Sequence, residues 1–99
     1  MAEISWLEKW FESHSPQLSG ARISYSCFVK RTETDNPAST FHLETDNWLA
    51  NLSLWESGAC DFEAFVTNES HPKAINEYRQ IESEEDLDIF LSQMLKLLQ

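Results

Sequence analysis

Residues 47–66 read NWLANLSLWESGACDFEAFV, two alternating runs on either side of Glu56-Ser57-Gly58. A period of two turns successive side chains to opposite sides of an extended chain, so each run is a strand with two unlike faces. A short glycine-containing link between such runs makes a β-hairpin, with Gly58 supplying the left-handed residue. Followed through the turn, the alternation puts Trp48, Ala50, Leu52 and Leu54 on one face with Cys60, Phe62, Ala64 and Val66. The opposite face carries Leu49, Asn51, Ser53 and Trp55, then Asp61, Glu63 and Phe65. The first set is a core. The second mixes large aromatics with carboxylates, a composition that suits a docking surface better than one meant only for water.

The rest of the chain supplies partners for this hairpin. Over residues 3–14, Ile4, Leu7 and Phe11 recur at helical spacing, Trp6 and Trp10 form an adjacent ridge, and glutamates take the polar side. Ser15-Pro16 and Ser19-Gly20 close that helix and begin a loop. The β-rich run over residues 21–31 places Ala21, Ile23, Tyr25, Cys27 and Val29 on one face. After a polar loop with Asn36-Pro37, residues 40–45 make a second strand with Phe41 and Leu43 opposite His42 and Glu44. Residues 67–76, with Pro72, read as a polar loop, and residues 77–81 as a short edge strand. Ser83 is an N-cap before an acidic first turn, and Leu87, Phe90, Leu91, Met94, Leu95 and Leu98 form the apolar stripe of a closing helix. The expected architecture is α+β: an antiparallel meander of four to five strands with an amino-terminal and a carboxy-terminal amphipathic helix, one domain over residues 1–99.

Charge narrows the functional classes. Seventeen acidic against seven basic residues give a formal charge of −10 in a chain of 99 residues. Nucleic acid and anionic membrane surfaces both require clustered Lys and Arg, so neither is an expected partner. A basic protein surface is, because the field of this chain would steer one toward it. Acidity that merely keeps a small protein soluble is the plainer alternative. The first fourteen residues have neither the basic region nor the apolar run of a targeting signal, and no apolar run is long enough for a membrane helix. The cytoplasm is therefore the expected compartment. Cys27 and Cys60, both on core-facing positions of strands, read as reduced packing residues. Without a secretory route the glycosylation-like triplet at Asn68 carries no meaning.

Catalytic constellations are missing from the pattern. His14, His42 and His71 lie in different elements and show no metal-ligand spacing. Cys60 has no His and acid in a recognisable arrangement, and Asp61 with Glu63 lacks the pocket a general acid–base pair needs. Two glycines, Gly20 and Gly58, cannot make a phosphate loop. The expectation is a protein without enzymatic activity, cofactor or metal. If the strands pair in sequence, His42 and Glu44 join Trp55, Asp61, Glu63 and Phe65 on one sheet face, aromatic anchors inside an acidic rim. Alternatively the first helix, with Trp6 and Trp10, covers that face, and Trp55 and Phe65 are then core.

The segment Trp55-Glu56-Ser57-Gly58-Ala59-Cys60-Asp61-Phe62-Glu63 resembles the WESGxCDxE segment of the TriTu-like family of small bacterial immunity proteins. The layout is similar too: an amphipathic start, strands, the WESG hairpin, and a closing helix after an acidic cap. The resemblance implies a protein that neutralises a cognate ADP-ribosyltransferase toxin, one acting on elongation factor Tu in competing bacteria. Taken with the aromatic-and-acid alternation of the hairpin, it predicts stoichiometric inhibition by occlusion, of either the active site or the target-docking surface, through the outer hairpin face. Trp55 and Phe65 would be the anchors, and Asp61, Glu63, Glu44 and His42 the polar partners. Two other roles stay open for such a chain: an acidic secretion chaperone or adaptor, and an antidote that removes ADP-ribose. The sequence leaves the oligomeric state open.

Overall fold

A computed structural model describes residues 2–67 and 74–99 of the chain. Five strands follow one another across a single antiparallel sheet in the order β1-β2-β3-β4-β5. They are β1 (Ser24–Arg31), β2 (Ala38–Glu44), β3 (Trp48–Trp55), β4 (Ala59–Val66) and β5 (Ala74–Gln80). Two helices precede the sheet, α1 (Ser5–Ser13) and α2 (Ser15–Gly20), and α3 (Glu84–Leu97) follows it. The meander expected from the alternating runs is the one observed. His71, Pro72 and the triplet at Asn68 lie outside the described residues.

All three helices contribute to one core on one side of the sheet. From α1 come Leu7, Trp10 and Phe11, from α2 Leu18, and from α3 Leu87, Phe90, Leu91 and Met94. Below them lie Phe41, Leu43, Ala50, Leu52, Leu54, Cys60, Phe62 and Ala64, every second residue of the three central strands. Phe11 joins helix to sheet, stacked on Phe41 at 4.5 Å and on Tyr25 at 4.9 Å between ring centroids. Offset aromatic contacts of this kind add to the burial itself. One polar group lies in this layer: the hydroxyl of Ser39 is buried with no hydrogen-bond partner among the described residues.

The ends of the elements have local causes. Ser83 Oγ accepts from the backbone N–H of Asp86 at 3.2 Å, and Asp86 Oδ2 accepts from the N–H of Glu82 at 3.0 Å. These two bonds satisfy donors that the start of α3 leaves open, and three acidic residues of its first turn face the positive end of the helix dipole. Pro16, expected to close a helix into a loop, instead opens α2, where a proline in the first turn loses no hydrogen bond. Consequently residues 15–20, Gly20 included, are helical rather than irregular, and β1 begins at Ser24 rather than at residue 21. Arg22 makes the corner with a φ of 60°.

Two further expectations are corrected at the sheet edges. Cys27 is exposed, not buried. β1 has a neighbour on one side only, and between Cys27 and Val29 its register slips against β2. This bulge ends the alternation that would have carried the core face through residue 29, which falls instead in register with Thr40. Past the bulge Lys30 stands on the helix side, where its ammonium meets Glu8 of α1 at 2.8 Å. At the opposite edge, β5 is an edge strand as expected. It begins at Ala74, inside the segment read as a polar loop, because its side chains are almost all exposed and leave no apolar rhythm to read.

Candidate partner-docking face

The hairpin turn is more heavily tied than a two-strand ribbon requires. Gly58 has a φ of 98°, open to glycine at no steric cost, and its N–H donates to Trp55 O at 2.9 Å. A Cβ there would come within 2.5 Å of the carbonyl oxygen of Ile81, so the site excludes any side chain. Three separate segments then bond to the turn. Ala2 N–H donates to Glu56 O at 3.0 Å, and Glu56 N–H donates to Pro37 O at 2.8 Å. Ser57 N–H donates to Asn36 Oδ1 at 3.1 Å, and Gln80 Nε2 donates to Ser57 O at 2.7 Å. Ile81 N–H closes on Gly58 O at 2.7 Å. Glu56, Ser57 and Gly58 are therefore the junction of the fold, and their backbone is fully occupied in holding it.

Beyond the turn, the register arranges the face away from the helices in cross-strand rows. Glu44, Leu49, Phe65 and Ala74 stand side by side in one row. His42, Asn51, Glu63 and Asn76 form the next, and Thr40, Ser53, Asp61 and Tyr78 the third. Trp55 pairs with Ala38, and Ala38 with Arg31, in the row nearest the turn. Trp6 and Trp10 pack into the core on the other side of the sheet, so the first helix does not cover this face. Phe65 is 46% exposed and Tyr78 59%.

All six residues picked from the sequence, His42, Glu44, Trp55, Asp61, Glu63 and Phe65, thus share one sheet face. They do not form one cluster. Trp55 and Phe65 are three rows apart, which at the strand repeat is about 20 Å. Between them runs a polar belt: Thr40 Oγ1 and Ser53 Oγ are hydrogen-bonded at 2.7 Å, and His42 Nδ1 donates to Asn51 Oδ1 at 3.1 Å. Asp61 and Glu63 sit in that belt, and neither forms an ion pair among the described residues. These two carboxylates, near Tyr78, Trp55 and Phe65 on the same face, make an acidic centre with aromatic ends.

Tyr78 was not among the candidates read from the sequence. Its strand lacked a readable period, although an exposed tyrosine in a polar run is itself a signal for a contact surface. The helix layer has its own polar cluster, also unmarked in the sequence. Trp10 Nε1 donates to Asp88 Oδ1 at 2.9 Å, and the Trp10 ring stacks on His14 with centroids 4.0 Å apart. His14 Nδ1 donates to Trp10 O at 2.8 Å, which leaves Nε2 facing Asp88 at 3.6 Å. These contacts fasten α1 to α3 beside a cleft of about 370 Å³. Among the described residues no group of three or more His, Cys, Asp or Glu side chains is placed to hold a metal ion. Among them, too, no helix is long and apolar enough to cross a membrane.

The family model described as Immunity protein TriTu matches residues 5–97, from the start of α1 to the last residue of α3. No curated protein and no solved structure gives a significant match.

Proposed function

The chain belongs to the TriTu family of immunity proteins, and from that premise we propose that it binds a cognate bacterial ADP-ribosyltransferase toxin and neutralises it by stoichiometric occlusion. The contact is made by the sheet face opposite the helices, and it blocks the toxin's active site or the surface with which the toxin meets its target. The observation that supports this reading is the acidic belt of Asp61 and Glu63, without an ion-pair partner among the described residues and flanked by aromatic side chains on a sheet face that no helix covers. A toxin that must hold the pyrophosphate of a dinucleotide presents a basic cleft, to which such a belt is complementary. Trp55 and Phe65 supply apolar contact at the two ends, and Glu44 and His42 extend the polar surface toward β2.

Binding of this kind needs no catalytic group. Its strength comes from desolvating a few anchors, and its selectivity from matching charge. The test is a titration against the cognate toxin. The triple variant Trp55→Ala, Asp61→Lys, Glu63→Lys keeps its circular dichroism and loses inhibition at equimolar ratio. Unchanged inhibition by the folded variant places the contact elsewhere.

A further inference from the structure

The two edges of the sheet are not equivalent, and the difference points to a second interaction surface. Edge strands expose unused backbone donors and acceptors, and proteins blunt them with bulges, prolines or charges. β1 is blunted: its register slips at residues 27–29, and Lys30 and Arg31 follow directly. β5 is not. Seven consecutive residues pair with β4 without a slip, from Ala59 with Gln80 to Phe65 with Ala74, and the strand contains no proline.

The free edge of β5 has a definite pattern. Ile81 N–H donates to Gly58 O at 2.7 Å, so residue 81 turns its backbone toward β4. Backbone direction alternates along an antiparallel strand, so residues 75, 77 and 79 also bond to β4, and Asn76, Tyr78 and Gln80 present their N–H and C=O outward. Only outward-facing residues can pair with an added strand. Above this edge lies the flank of α3 that faces away from α1. Arg79 marks it, with its guanidinium 5.5 Å from the centre of the Phe90 ring and its Nη2 bonded to Gln93 Oε1 at 3.5 Å. Ile89, Gln93 and Leu97 recur there at four-residue spacing, and Ile89 and Leu97 are 43% and 44% exposed. With Tyr78, they are three of the four large apolar side chains left exposed among the described residues.

We infer that β5 pairs antiparallel with β5 of a second copy of this chain, which makes one continuous ten-stranded sheet with the helices on the same side. The charges on the strand select both the occupant and the register. Pairing Tyr78 with the other Tyr78 satisfies the outward backbone groups and sets Glu77 opposite Arg79 of the second copy, twice by symmetry. Moving the register by one step either way sets Glu77 against Glu77 or Arg79 against Arg79, like charges directly opposed. The same twofold axis brings the two Ile89–Leu97 flanks together above the joined strands. The face opposite the helices, to which the toxin contact is assigned, stays open in both copies.

Molar mass by light scattering, followed from micromolar to millimolar protein at physiological ionic strength, tests the inference. The wild type should rise to twice the monomer mass. Tyr78→Pro removes an outward N–H and no bond to β4, and should raise the dissociation constant at least about tenfold with the fold retained. Glu77→Arg and Arg79→Glu should each dissociate the pair, and a mixture of the two should restore it, because each chain then carries the charges the other lacks. A wild type that stays monomeric throughout overturns the inference, as does a dimer indifferent to Tyr78→Pro and to the charge changes. A monomer whose affinity for the toxin falls with Glu77→Arg or with Arg79→Glu, whose side chains lie on the helix side and off the toxin face, would show that a toxin strand, rather than a second copy, occupies the edge.

Discussion

The two faces of the β3–β4 hairpin are built from the same sixteen strand residues and are read out in opposite ways. On the helix side Leu52, Leu54, Cys60, Phe62 and Ala64 are at most 1% exposed. There a side chain matters through its volume, because close-packed interiors leave no room for change. On the other side Asp61, Glu63 and Phe65 meet solvent, and what matters is charge and shape offered outward. A sequence with period two lets one short segment carry both duties, since a substitution at an odd position leaves the even ones in place. The lesson is a division of labour: stability should respond to one row of side chains and toxin recognition to the next.

That division can be broken by experiment. Phe62→Ala should remove about 3–5 kcal/mol of stability, read from the urea midpoint, by opening a cavity in the core. The pH dependence should single out Cys60, whose thiol is pushed up by burial, with the charge of Asp61 adding to it, from an ordinary 9.0 to about 12. A raised folded value means that the stabilising, protonated form is fully present below the unfolded value. Stability should therefore decline as pH rises from about 9 toward about 12, and Cys60→Ala should flatten that decline. In the native protein a thiol reagent should label Cys27 alone, with Cys60 reacting only on unfolding. Ser39→Ala should raise stability by about 1 kcal/mol, because it deletes a buried hydroxyl that no described residue satisfies. Phe65→Ala should move the midpoint by no more than about 0.5 kcal/mol while weakening the toxin complex. A large loss of stability from Phe65→Ala would end the distinction between the faces.

The same rhythm decided what could be read in advance. The central strands were legible because each has one buried and one solvated side, and α3 because Ser83 and the acidic first turn announce it. The six residues of the outer face followed from parity alone. Where an element faces solvent on nearly all sides, as β5 does, no apolar rhythm remains, and Tyr78 went unnoticed with it. Where a bulge intervenes, as after Cys27, parity reverses without any mark in the residues. Pro16 was ambiguous for a different reason, since proline suits the end of one helix and the first turn of the next equally well. Distances across the face were also hidden: parity groups Trp55 with Phe65 but says nothing of the two rows between them.

The turn at Glu56-Ser57-Gly58 has a consequence for the order in which the molecule opens and closes. Hairpin tips ordinarily fray first, because only their own two strands hold them. Here the tip is bonded by Ala2, Asn36, Pro37, Gln80 and Ile81, segments drawn from both ends and the middle of the chain. Such bonds enclose long loops and cannot form until the intervening chain is in place. The backbone amides of Glu56 and Ser57 are therefore among the last to be completed in folding, and once completed they exchange with solvent only when distant parts of the protein let go together.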